Sequence, residues 1–156
     1  MTQRFILDEN IVILAQKLEN EREEPDPTCR ELIDKIIEIC HSIVFDLPLW
    51  DKCYRQLAEL RDYDPHGARS ILRIMFLASE VAGKLERHDA EEFPEEADIP
   101  QGSQDDIPVV RLAVKTRATL VTTDESLRED LNSCGVQERY GLKVLSPGEA
   151  LTTLYG

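Results

Sequence analysis

Three aspartates in this chain close or open apolar runs, and carboxylates gathered from such positions can hold a divalent cation. Asp8 ends the run "RFIL", residues 4–7. Asp124 ends "TLVTT", residues 119–123, and Asp106, beside Asp105, opens "DIPVVRLAVKTRA". Crowded carboxylates repel one another, and a cation between them offsets that repulsion. Mg²⁺ suits such a site, with its hard oxygen ligands and retained waters. An ion held there can activate a water and stabilise charge on a phosphate in transit. Thr122 and Thr123 are placed either to orient a carboxylate or a water, or to face the core. Taken singly, each acid also has a plainer role. Asp8 and Asp124 are good helix N-caps, and Asp105 and Asp106 suit the positive end of a helix dipole.

The elements around these acids alternate. The run 4–7 reads as a buried strand, and residues 10–20 follow as a helix, with Ile11, Leu14, Ala15 and Leu18 on one face. Thr28 and Glu31 form a capping box for a helix running to about His41. "SIVF", residues 42–45, is a second strand ending at Asp46, and Pro48 stands in the first turn of the next helix. Residues 64–88 keep helical spacing through Ile71, Ile74, Met75, Ala78, Val81, Ala82 and Leu85. Residues 89–104, "DAEEFPEEADIPQGSQ", are acidic and poor in apolar side chains, and read as an exposed loop. A helix then begins near Asp106, and residues 119–123 are a strand. The following helix is stopped by Gly135, and residues 142–145 are another strand. Ser146, Pro147 and Glu149 start a final helix.

Strands alternating with helices predict a single α/β domain over residues 1–156, with a parallel sheet flanked by helices. In such sheets ligands bind at the carboxyl ends of the strands. Asp8, Asp106 and Asp124 would then share one edge. A length of 156 residues supports one real core. No apolar run is long enough to span a bilayer, and "MTQRFILDENIVIL" lacks the marks of a signal peptide, so a cytoplasmic location is expected. Cys29, Cys40, Cys53 and Cys134 lack the spacing of a zinc or redox motif and read as scattered thiols. The net charge of −13 argues against nonspecific coating of nucleic acid. It leaves room for a nuclease with a local basic patch, or for a basic partner over an acidic surface. No phosphate-binding glycine loop is present, which disfavours an NTPase. Asn10 stands two residues after Asp8, where an aspartyl phosphatase wants a second aspartate.

The segments "RFILDEN" and "DDIPVVRLAVKTRATLVTTDESL" resemble the PIN-domain family of metal-dependent ribonucleases. The shared marks are an aspartate closing the first strand, an aspartate before a helix with spaced apolar residues, and a strand ending in Val-Thr-x-Asp. Asp8, Asp106, Val110, Ala113, Leu120, Val121, Thr122, Asp124 and Leu127 fill those places. The resemblance implies an endoribonuclease that uses Mg²⁺ or Mn²⁺ held by Asp8, Asp106 and Asp124. It implies RNA as substrate, an antitoxin protein as partner in a toxin–antitoxin pair, and frequent homodimers. The family commonly carries a further acid, often glutamate, on the helix after the second strand. In "FDLPLWDKCYRQLAEL" the best match is Asp51, with Glu59 weaker and Asp105 a further candidate ligand. Arg69 and Arg73, one turn apart, are candidate RNA contacts as a phosphate clamp. The departure around Asp51 leaves a second reading open: a catalytically silent PIN-like module that binds RNA or protein.

Overall fold

The computed structural model describes residues 3–39, 41–61, 71, 74 and 83–155. The first apolar run is β1 (Arg4–Leu7), and Phe5 and Ile6 are fully buried in it. A strand buried on both faces has to be apolar at successive positions rather than alternate ones, as central strands of parallel sheets are. The remaining strands are β2 (Ser42–Phe45), β3 (Leu85–Arg87), β4 (Thr119–Val121) and β5 (Val144–Leu145). All pair in parallel, in the order β3-β2-β1-β4-β5. Register aligns Phe5 with Ile43 on one side and with Thr119 on the other.

The helices whose bounds fall within the described residues are α1 (Glu9–Lys17), α2 (Thr28–Glu38), α3 (Leu47–Arg61), α4 (Ile107–Thr116), α5 (Glu125–Ser133), α6 (Val136–Tyr140) and α7 (Pro147–Tyr155). Right-handed crossovers in this strand order put the helices between β1 and β3 on one face and those between β3 and β5 on the other. In agreement, α1 packs on α2 and α3, while α5 packs on α6; α7 returns to lie on α2. The result is an α/β fold with a parallel sheet flanked by helices. The winding direction reverses between β1 and β4, and the carboxyl ends of that strand pair are where such sheets open a crevice.

Several expectations change in the folded chain. Leu85 belongs to β3, not to a helix: Gly83 takes a φ of 59°, and the chain beyond it pairs with β2 from Ile43 to Phe45. Residues 89–104 are not a loose loop. They form two 3-10 turns, Pro94–Asp98 and Gln101–Asp106, with Phe93, Ile99 and Ser103 buried. Arg111 clamps Glu96 with bonds of 2.7 and 2.6 Å, and Ser103 donates to Asp130 at 2.7 Å. Three well-placed pegs and matched charges therefore pack a segment whose composition alone argues for solvent.

Leu18 does not continue the α1 face. It ends the helix with a φ of 56° and is 47% exposed. Thr28 makes no capping box; Asp26 takes both its N–H and its hydroxyl, at 2.9 and 2.5 Å. The box at the last helix does form, with Ser146 and Glu149 exchanging bonds of 3.3 and 3.2 Å. The short helix α6 follows Gly135, whose φ is 83°, and β5 covers only the end of residues 142–145. Ile71 is fully buried, as its spacing predicts. Arg69, Arg73, Met75 and Cys40 lie outside the described residues.

Candidate active site

Asp8 leaves β1 and caps α1 in one residue. Its Oδ1 accepts the Glu9 N–H at 2.8 Å, and the side chain is nearly buried. Its Oδ2 accepts the Thr122 hydroxyl at 3.0 Å. Thr122 is fully buried just past β4, and its Oγ1 in turn accepts the Asp124 N–H at 3.1 Å. Asp124 caps α5 by accepting the Leu127 N–H at 3.1 Å. One hydroxyl thus ties the two strand-end aspartates across the sheet's reversal point. The capping role and the site role coexist, because each carboxylate oxygen has two lone pairs and a capping bond takes only one.

Asp106 differs. It stands immediately before α4, with Pro108 in the first turn, but its side chain makes no capping bond. Its carboxylate faces a recess of about 140 Å³. Asp8, Glu9, Asp46, Asp105 and Asp106 supply the acids of the wall, and Lys52 its cation. Leu49, Val109 and Leu112 supply apolar lining. Burial pushes the Asp106 carboxyl up to about 6, helped by the fields of Asp8, Asp124 and Asp105 and opposed by Lys52. Burial likewise raises Asp8, against the Thr122 and Glu9 hydrogen bonds that favour its ionised form. The Lys52 ammonium lies 3.1 Å from the Glu9 carboxylate, which holds its proton more tightly.

The sequence-predicted residues therefore separate into groups. Asp8, Asp106 and Asp105 share the recess. Asp124 and Thr123 line an adjoining cleft with Asn10, Arg22 and Ser126, and Asp124 reaches the recess through its charge and through Thr122. Asp51 is exposed on α3 and is not among the recess-lining residues. In its stead stands Asp46, buried at the end of β2, where its Oδ1 accepts the Leu49 N–H at 2.8 Å. The signal for Asp46 was in the chain: it closes an apolar run just as Asp8 does. Glu9 gave no comparable signal, because its place follows from the turn into α1.

The acids present suit a hard divalent cation in donor type, since every candidate ligand in the recess is a carboxylate oxygen. Among the described residues, no three His, Cys, Asp or Glu side chains stand close enough together to form a ready-made metal cage. None of the helices within the described residues is long and apolar enough to cross a membrane.

No protein-family model matches the chain, and no curated protein matches it. A solved structure similar to it is the crystal structure of VapBC2 from Rickettsia felis bound to a DNA fragment from their promoter. The likeness covers 92% of this chain and 98% of that chain at 15% identity, with a TM-score of 0.46.

Proposed function

We propose that this chain is a PIN-like, divalent-metal-dependent ribonuclease that hydrolyses RNA phosphodiester bonds through the carboxylates at the sheet's carboxyl edge. The observation that carries the reading is the convergence of Asp8 and Asp106, far apart in sequence, on one recess with Asp46. Their mutual repulsion is strong enough to help push Asp106 up to about 6. Asp8, Asp106 and Asp124 would hold Mg²⁺ or Mn²⁺, with Asp46 or Asp105 assisting. Such an ion, when bound, supplies a more acidic water and a positive charge beside the phosphate.

The chain's own residues do the positioning. Thr122 fixes the Asp8 carboxylate and the backbone of Asp124 together, so the two cannot turn independently. Lys52 and Gln56 hold the Glu9 carboxylate on the recess wall, and the Asp106 carboxylate makes no capping bond to α4. In the hydrolysis a water oxygen forms a new bond to phosphorus, one ester P–O bond breaks, and the leaving oxygen takes up a proton. In keeping with the resemblance, we assign the chain as the toxin of a toxin–antitoxin pair, cytoplasmic and homodimeric. The net charge of −13 would favour a partner with a basic face.

The test is cleavage of a fluorescent single-stranded RNA panel with Mg²⁺ or Mn²⁺. Wild type is compared with Asp8→Asn, Asp106→Asn and Asp124→Asn. Metal-dependent cleavage lost in all three supports the reading; equal cleavage by wild type and variants overturns it. One observation favours the silent module as a second reading: Lys52 already brings a positive charge to the recess. Calorimetric Mn²⁺ titration separates the two. Binding lost in Asp8→Asn supports the metal site, and no binding by wild type supports the silent module.

A further inference from the structure

The opposite edge of the sheet carries a different kind of cleft. Arg4 begins β1, Arg117 precedes β4 and Lys143 precedes β5, and all three line one cavity of about 690 Å³. These strands are neighbours in the sheet. At about 4.8 Å per strand, the three cations spread over roughly 10 Å. Arg4 bonds Glu86 at 3.2 Å, and Glu86 also accepts the Ser42 hydroxyl, so the cleft's lining acid is already engaged. Among the described residues, Arg117 and Lys143 have no ion-pair or hydrogen-bond partner for their side chains. Arg117 also occupies the left-handed C-cap of α4, with a φ of 58°. That is a place where glycine is the unstrained choice.

We infer that this amino-edge cleft, built on Arg117 and Lys143, binds a small phosphate-bearing ligand of nucleotide size. The cavity volume falls in the range of small-molecule sites. The extent of the cationic lining decides between a small anion and a long one. Arg4, Arg117 and Lys143 are the cations of the lining, and a polyanion would run past them. A small anion stays within about one Debye length, roughly 8 Å, of the cations and is screened from the rest. Tyr140 and Gln3 add an aromatic edge and an amide to the wall for the uncharged part of the ligand.

The experiment is calorimetric titration of the chelator-treated protein with ADP, with adenosine as the uncharged control. Pyrophosphate serves as competitor, and a ten-nucleotide single-stranded RNA is the polymer arm. Arg117→Gly removes the guanidinium while relieving the backbone, so lost binding cannot be read as lost folding. Lys143→Gln removes the second charge. The expected result is ADP binding that pyrophosphate displaces, no adenosine binding, and at least a tenfold weaker Kd in each variant. No ADP binding by wild type overturns the inference, as does equal binding by wild type and both variants. RNA bound more tightly than ADP, and lost in Arg117→Gly, overturns it in favour of a nucleic-acid site. None of these outcomes depends on the acidic recess, since no metal is present.

Discussion

Replacing Thr122 with valine tests whether one buried hydroxyl holds the candidate site together. Valine keeps the shape of threonine and removes both of its hydrogen bonds. The first is the 3.0 Å bond to Asp8, a nearly buried carboxylate. The second is the 3.1 Å bond from the Asp124 N–H. Losing a bond to a charged group costs about 1.5–3 kcal/mol, and an orphaned N–H adds about 1–3 kcal/mol. Burial of the new methyl returns about 0.8 kcal/mol. With partial relaxation, the expected destabilisation is roughly 2–4 kcal/mol. Thr122→Ser is the control: it keeps the hydroxyl and loses one buried methyl, at a cost of about 1 kcal/mol. Urea unfolding followed by circular dichroism reads the difference as a midpoint shift of about 1–2 M at unchanged slope. If valine proves as stable as serine, Thr122 contributes only packing, and the proposed tie between Asp8 and Asp124 is wrong. Because the Thr122 bond favours ionised Asp8, the valine variant should also raise Asp8 further. Mn²⁺ affinity should then fall at least tenfold, since the ligand has lost the group that orients it.

Three other outcomes follow from the same geometry. Asp106 and Asp8 are raised in the folded state, so the stability they contribute is fully present below the unfolded value of 3.8. It is lost as pH rises through about 6 for Asp106. Chelator-treated wild type should therefore lose melting temperature relative to Asp106→Asn between pH 4 and pH 7; a constant difference between the two proteins would refute the crowding of charge at the recess. Cys29 and Cys53 thiols are pushed up to about 12, by burial first and then by nearby carboxylates. At pH 8 only roughly one in ten thousand of either is thiolate, so iodoacetamide with peptide mapping should find them far slower than the half-exposed Cys134. Modification at the rate of a free thiol would contradict the burial. Arg117→Gly should stabilise the fold by about 0.5–1 kcal/mol, because glycine takes a positive φ without the side-chain penalty; a lower thermal midpoint would mean that the arginine makes contacts beyond its backbone role.

The parts of this molecule that could be read along the chain are those where one local rule settles the matter. Asp8 and Asp124 each close an apolar run and open a helix. A parallel sheet then brings strand ends to one edge whatever lies between them. Ser146, Pro147 and Glu149 carry a whole helix start within four residues, and the capping box forms. What could not be read is what depends on partners remote in sequence. Leu85–Arg87 has helical spacing from its upstream neighbours, but Gly83 and the exposed edge of β2 decide its state. The acidic stretch before Asp106 looks soluble by composition and is held down by Arg111, Arg139 and Asp130, none of which lies within it. Asp51 and Asp46 show the same limit at the scale of the site. Both stand near the start of α3, and a helix-based motif favours Asp51. The turn from β2 into α3 instead buries Asp46, which caps the helix, and sets Lys52 toward the recess. Which acid of this stretch lines the recess thus follows from the strand-to-helix turn, and a motif read along the helix alone selects the exposed neighbour.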